Sequence, residues 1–182
     1  IWTSRDGVTW QRMTAAGLGL AGPGETVRNI SYATWRGRDV VIAGTVARDG
    51  LSYAGTWLST NDGAAWARVT IPADHGAGPA ISGLAFDAAG LIAVRPAQSG
   101  GAISYFSPNG RDWHYSATIN TASGWTPGVV KGSDDGFVVT GSTAAGQLVA
   151  YTSTGAGQSW QPTGTLGSAS TESVVGATVA PA

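Results

Sequence analysis

The chain repeats itself. Its first copy reads Trp2-Thr3-Ser4-Arg5-Asp6-Gly7-Val8-Thr9-Trp10. A second carries Trp57, Ser59, Asn61, Gly63 and Trp66, and a third Tyr105, Ser107, Asn109, Gly110 and Trp113. The fourth has Tyr151, Ser153, Gly155, Gly157 and Trp160. All four fit aromatic-x-Ser-x-[Asp/Asn/Gly]-Gly-x-x-Trp, with one optional residue before the Gly. The closing tryptophans are 56, 47 and 47 residues apart. Self-similarity at such a period marks an array of like units, and this length suits one four-stranded antiparallel unit per copy.

Each copy reads as a hairpin. An aromatic strand runs into the Ser, whose hydroxyl can bond turn backbone, as can the Asp or Asn side chain. Gly supplies the positive φ of a tight turn, and the Trp packs back over it. Between copies, short β-rich runs alternate with Gly or Asp turns, and no helical period is sustained. Strands are expected near 27–35, 39–46, 52–60 and 64–70, then 80–86, 91–97, 102–107 and 112–117. A third set follows near 126–132, 136–142, 147–154 and 158–163, with one more strand at 172–180. The fold class is all-β.

These segments resemble the Asp-box, or BNR, repeat S-x-D-x-G-x-x-W of sialidases, related glycoside hydrolase propellers and several non-enzymatic receptors. Only Asp6 keeps the acid; Asn61, Asn109 and Gly155 replace it. The resemblance implies a β-propeller of four-stranded antiparallel blades, with residues 1–182 as a single segment spanning about four blades. Three would be complete, at about 25–70, 80–118 and 126–164, and two partial, at 1–13 and 172–182. Ile1 opens directly on strand-like residues, so the natural chain is expected to extend upstream. Further chain or a second copy is expected to complete the ring, because open faces and unpaired edges are unfavourable.

Composition narrows the function. Hydrophobic residues make up 42% and charged residues 12% of the 182 positions, enough apolar surface for a core. No apolar run approaches a membrane helix. A net charge of −1 offers phosphates no basic field, which argues against nucleic acid. Cys is absent, which excludes disulfides, thiol catalysis and Cys-ligated zinc. Nine of the ten basic residues are Arg, Lys131 being the exception, a bias that hints at a GC-rich bacterial genome.

In the propeller that the resemblance implies, the box hairpins lie opposite the ligand face. That face is built from the loops leading into each first strand and joining second to third: 14–26, 47–51, 71–79, 97–101, 118–126, 143–147 and 164–172. Its candidate ligand residues are Glu25, Arg28, Arg48, Asp74, His75, Trp125 and Glu172. Glu25 and Glu172 are the only glutamates, each just before an expected inner strand. Trp125 is a candidate sugar-stacking or partner-anchoring ring, with packing between blades as the alternative. His75 and His114 lack metal-ligand spacing, so neither metal nor cofactor is expected. Ser4, Asp6, Gly7, Trp10, Ser59, Asn61, Gly63, Trp66, Ser107, Asn109, Gly110, Trp113, Ser153, Gly157 and Trp160 are expected to be structural.

Two functions stay open. One is a secreted or cell-surface module that binds a protein or glycan, favoured by Gly-, Ala- and Pro-rich loops with few reactive groups. The other is part of a sialidase-like or related hydrolase. Such a site requires an arginine cluster for a carboxylate, a Tyr nucleophile with a Glu partner, and an acid. Arg28 is placed to join such a cluster, yet no F/Y-R-I-P segment occurs, the nearest being Val94-Arg95-Pro96, and no Tyr–Glu–Asp set is assignable from sequence. Binding is the reading adopted.

Overall fold

The computed structural model describes residues 1–4, 6–119 and 124–168. Every helix or strand among them is a strand. β1 (Trp2–Thr3) and β2 (Gln11–Arg12) form a short antiparallel ribbon. β3 (Thr26–Arg36), β4 (Asp39–Arg48), β5 (Leu51–Ser59) and β6 (Ala67–Val69) form the first four-stranded sheet. The second holds β7 (Gly83–Phe86), β8 (Leu91–Pro96), β9 (Ala102–Ser107) and β10 (His114–Ile119). The third holds β11 (Thr126–Ser133), β12 (Gly136–Ser142), β13 (Gln147–Thr154) and β14 (Gln161–Ser168). Each is an antiparallel meander in chain order, and none closes on itself.

Most expected strands sit within a few residues of their observed counterparts. The consistent difference is at the fourth strand of each sheet. β6, β10 and β14 begin only after Trp66, Trp113 and Trp160, because the turn runs through the ring rather than stopping before it. The strand expected at 172–180, the second partial blade and Glu172 lie outside the described residues.

Period-two alternation explains the stacking. Along β8, Leu91 and Ala93 join one core with Val41, Ala43 and Leu58 of the first sheet. Ile92 and Val94 join a second core with Val130, Phe137 and Val139 of the third. Successive side chains point to opposite faces, so a strand buried on both reads as an unbroken apolar run. The first sheet does the same: Ile42, Val46 and Trp57 turn away from the second sheet and pack under Leu20 of the 13–25 connection. There the Trp57 indole donates to the Leu20 carbonyl at 2.8 Å. The leading strand β7 lies against the leading strands β3 and β11.

The four repeats fold as four like turns. Trp10, Trp66, Trp113 and Trp160 each immediately precede the last strand of their sheet. Gly7, Gly63, Gly110 and Gly157 have φ of 72°, 80°, 72° and 68°. Three turns share one circuit. Ser4, Ser59 and Ser107 donate to Asp6, Asn61 and Asn109 at 3.0, 2.9 and 3.2 Å. Those side-chain oxygens accept N–H groups further round the turn, from Val8 and Thr9, from Ala65, and from Arg111 and Asp112. With Gly155 in place of the acid, the fourth circuit is broken, and the buried Ser153 hydroxyl has no partner among the described residues.

Candidate functional site

Antiparallel order sends the box turns to one end of each sheet. The connections 13–25, 49–50, 70–82, 97–101 and 143–146 go to the other, here called the leading end. Two carboxylates there are held by networks that no sequence motif announces.

The first centres on Glu25, whose side chain is 14% exposed just ahead of β3. Its Oε1 accepts the Tyr53 hydroxyl at 2.5 Å. Its Oε2 accepts the Gly22 N–H and Arg68 Nη1, both at 3.0 Å. The Arg68 guanidinium also lies 5.0 Å from the centre of the Trp57 ring, within cation–π range. The Tyr53 bond, then the Gly22 N–H and the Arg68 charge, hold the Glu25 carboxyl below its ordinary range. The same bond raises the Tyr53 hydroxyl.

The second centres on Asp74. Its Oδ1 is 2.9 Å from His75 Nδ1 and 2.9 Å from the Tyr105 hydroxyl, which also lies 2.8 Å from the Asp74 carbonyl. His75 adopts φ 52° and stacks on Tyr115 with ring centres 4.0 Å apart. The His75 and Tyr105 contacts lower the Asp74 carboxyl, while burial and then Asp74 push the Tyr105 phenol up.

Beneath this loop lies Arg95, 4% exposed. Nη1 is shared among the carbonyls of Gly78, Pro79 and Ala80 at 3.2, 2.6 and 3.4 Å, and Nη2 donates to Ile71 at 2.9 Å. Burial lowers its pKa. One guanidinium thereby gathers both ends of the connection between the first and second sheets.

The other expected ligand residues separate. Arg28 is exposed and has no partner among the described residues. Arg48 pairs with its neighbour Asp49, 3.4 Å away in solvent. Trp125 is 2% exposed, wedged in the core between the second and third sheets and edge-on to Tyr151 at 5.3 Å. The ring therefore takes its packing alternative, because the strand it precedes is covered by the second sheet. The structure brings Glu25 to Tyr53 and Arg68, and Asp74 to His75 and Tyr105, but does not unite the two groups. Sequence reading missed Tyr53, Arg68, Tyr105, Tyr115 and the clamp made by Arg95. Glu25 meets partners 28 and 43 residues away, a pairing only strand register creates.

A pocket of about 210 Å³ also opens at this end, between β3, β4 and β5 of the first sheet and residues 79–81 leading into β7. Tyr32, Thr45, Ser52 and Ala54 line it opposite Pro79 and Ala80.

No protein-family model and no curated protein matches the chain.

Chemically, a general acid requires a carboxyl raised toward neutrality. Glu25 and Asp74 are both lowered. Asp87 is raised, by burial, but it caps the β7–β8 turn by accepting the Ala89 and Gly90 N–H groups at the box end. Among the described residues no group of three or more His, Asp or Glu could hold a metal. No helix among them is long and apolar enough to cross a membrane.

Proposed function

We propose that this chain is a segment of an Asp-box β-propeller that serves as a binding module, exported from a bacterial cell, with its contact surface at the leading end. The observation that carries the reading is the state of the leading-end carboxylates. Glu25 has both oxygens engaged by Tyr53, Gly22 and Arg68, Asp74 is engaged through Oδ1 by His75 and Tyr105, and both carboxyls are lowered by these contacts. Groups so engaged hold loops in place and present a fixed surface, whereas acid–base catalysis needs a group free to exchange its proton near neutral pH. Protein or glycan partners fit such a surface; three stacked meander sheets with their leading strands in contact support the propeller.

A hydrolase reading draws on one contact, the Tyr53–Glu25 pair. A tyrosine nucleophile needs a partner able to take its proton. Glu25, stabilised as the anion by Arg68 and Gly22, is a poor base, and the Tyr53 hydroxyl is raised rather than lowered. The test uses two assays: fluorogenic sialosides and neutral glycosides for turnover, and glycan and cell-surface arrays for retention. Retention without turnover is expected. Turnover that disappears in Glu25→Gln and Tyr53→Phe would replace binding with hydrolysis.

A further inference from the structure

We infer that the pocket between the first sheet and residues 79–81 is a binding site for a single uncharged sugar ring. The inference rests on the binding-module reading and specifies its ligand.

Three features carry it. First, no charged residue lines the pocket among the described residues. An anionic sugar or an acidic peptide would enter with its charge unmatched, at a desolvation cost nothing there offsets. Second, the lining combines apolar surface with hydroxyls that the fold leaves unused. The side chains of Tyr32, Thr45 and Ser52 face one space, and their hydroxyls have no hydrogen-bond partner among the described residues. A hydroxyl both donates and accepts, which suits a ligand whose own groups do the same. A peptide backbone, by contrast, is best matched by free main-chain donors and acceptors, and along the middle strand β4 these are committed to ladders on both sides. The volume of about 210 Å³ falls below the 300–1,000 Å³ or so of pockets for drug-sized ligands, so one ring is the fitting load.

Third, the walls are set in advance. One side is three hydrogen-bonded strands. The other is the Pro79–Ala80 segment, whose carbonyls are held by the buried Arg95 guanidinium. A site whose walls need no ordering on binding keeps more of its contact energy as affinity. Arg95 is thus a positioning residue for the pocket and touches no ligand itself.

The experiment titrates the whole chain with methyl β-glucopyranoside, methyl β-galactopyranoside and methyl α-mannopyranoside, followed by saturation-transfer NMR and calorimetry. The methyl glycoside of N-acetylneuraminic acid and an Ala-Pro tetrapeptide serve as comparators. At least one neutral glycoside is expected to bind. Ala80→Trp, at an exposed wall position, should weaken that binding by at least about tenfold. Tyr32→Phe and Ser52→Ala should each weaken it by about threefold to tenfold. Should Ala80→Trp melt below the parent chain, the two hydroxyl variants decide. Binding untouched by all three variants overturns the location, and preference for the anionic sugar or the peptide overturns the ligand class. Failure to bind any sugar here, with retention on arrays intact, overturns the pocket and spares the module. Loss of both retention and sugar binding sinks the module as well.

Discussion

Asn109 and Asp6 occupy the same place in their turns, yet only one is an acid. The reason is a neighbour. Asn109 Nδ2 donates to Asp112 Oδ2 at 2.8 Å while Oδ1 accepts the turn N–H groups. An acid at 109 would lose that donor and set two carboxylates together. Among the described residues Asp6 meets donors alone, from Thr9, Val8 and Ser4, and they hold it far below the usual carboxylate range. Asn109→Asp is therefore expected to destabilise by about 0.5–1.5 kcal/mol, and Asp112→Asn should recover most of the loss in the double variant. Thermal denaturation of the four proteins measures this. Equal effects with and without Asp112 would show that the pair is not coupled. Glu25 makes a second residue-scale prediction. Its folded-state pKa is depressed, so its contribution is fully present above the ordinary carboxylate range and is lost as pH falls through the lowered folded value. Denaturant unfolding from neutral to acid pH should give a shallower decline for Glu25→Gln than for the parent. Parallel declines would mean that the Tyr53–Glu25–Arg68 contacts do not matter to folding.

At the scale of the turn, the box glycines are more than conformational concessions. A Cβ on Gly110 would press within 3.2 Å of Leu58 and Val41, which belong to the preceding sheet. One on Gly157 would collide with Ile92 at 2.2 Å, again in the preceding sheet. Ser116 of that sheet donates to Ala156 at 2.6 Å, and the Trp160 indole reaches Ser104 at 3.2 Å. Each later box turn is thus a joint that fastens its sheet onto the one before. Gly63 differs: the only side chain near its Cβ position is its own Trp66, at 3.5 Å. Gly63→Ala should cost about 1–2 kcal/mol from the positive φ alone. Gly157→Ala should add about 1–3 kcal/mol of overpacking. Chemical denaturation of both variants gives the comparison, and equal losses would remove the joint.

Across the whole molecule, cohesion depends on a few large rings placed between sheets. Trp125 is the largest of these against the third sheet, packed with Ile92, Val94 and Phe137. Trp125→Ala is expected to cost about 3–5 kcal/mol and to separate unfolding of the third sheet from the rest. Because its indole N–H has no partner among the described residues, Trp125→Phe sacrifices volume but no hydrogen bond found there and should cost clearly less. Calorimetry reads both. A single sharp transition for Trp125→Ala would show that the sheets are joined elsewhere.

Sequence alone determined the local grammar of this protein. A Ser two residues before an Asp or Asn, a Gly, and a Trp three residues later specify a turn through contacts spanning only a few positions, so Ser4, Ser59 and Ser107 fold as their spacing predicts. Strand positions were legible for the same reason, since alternation and turn residues are local signals. What lies between sheets was not. Whether Trp125 faces solvent or core depends on what covers its strand. Whether Glu25 is a free acid or a bound anion depends on Tyr53 and Arg68, brought to it by the pairing of β3 through β6. The pocket too is made where one sheet meets the loop that leads into the next. Such contacts join residues tens of positions apart, and only the register and stacking of whole sheets decide which of them meet.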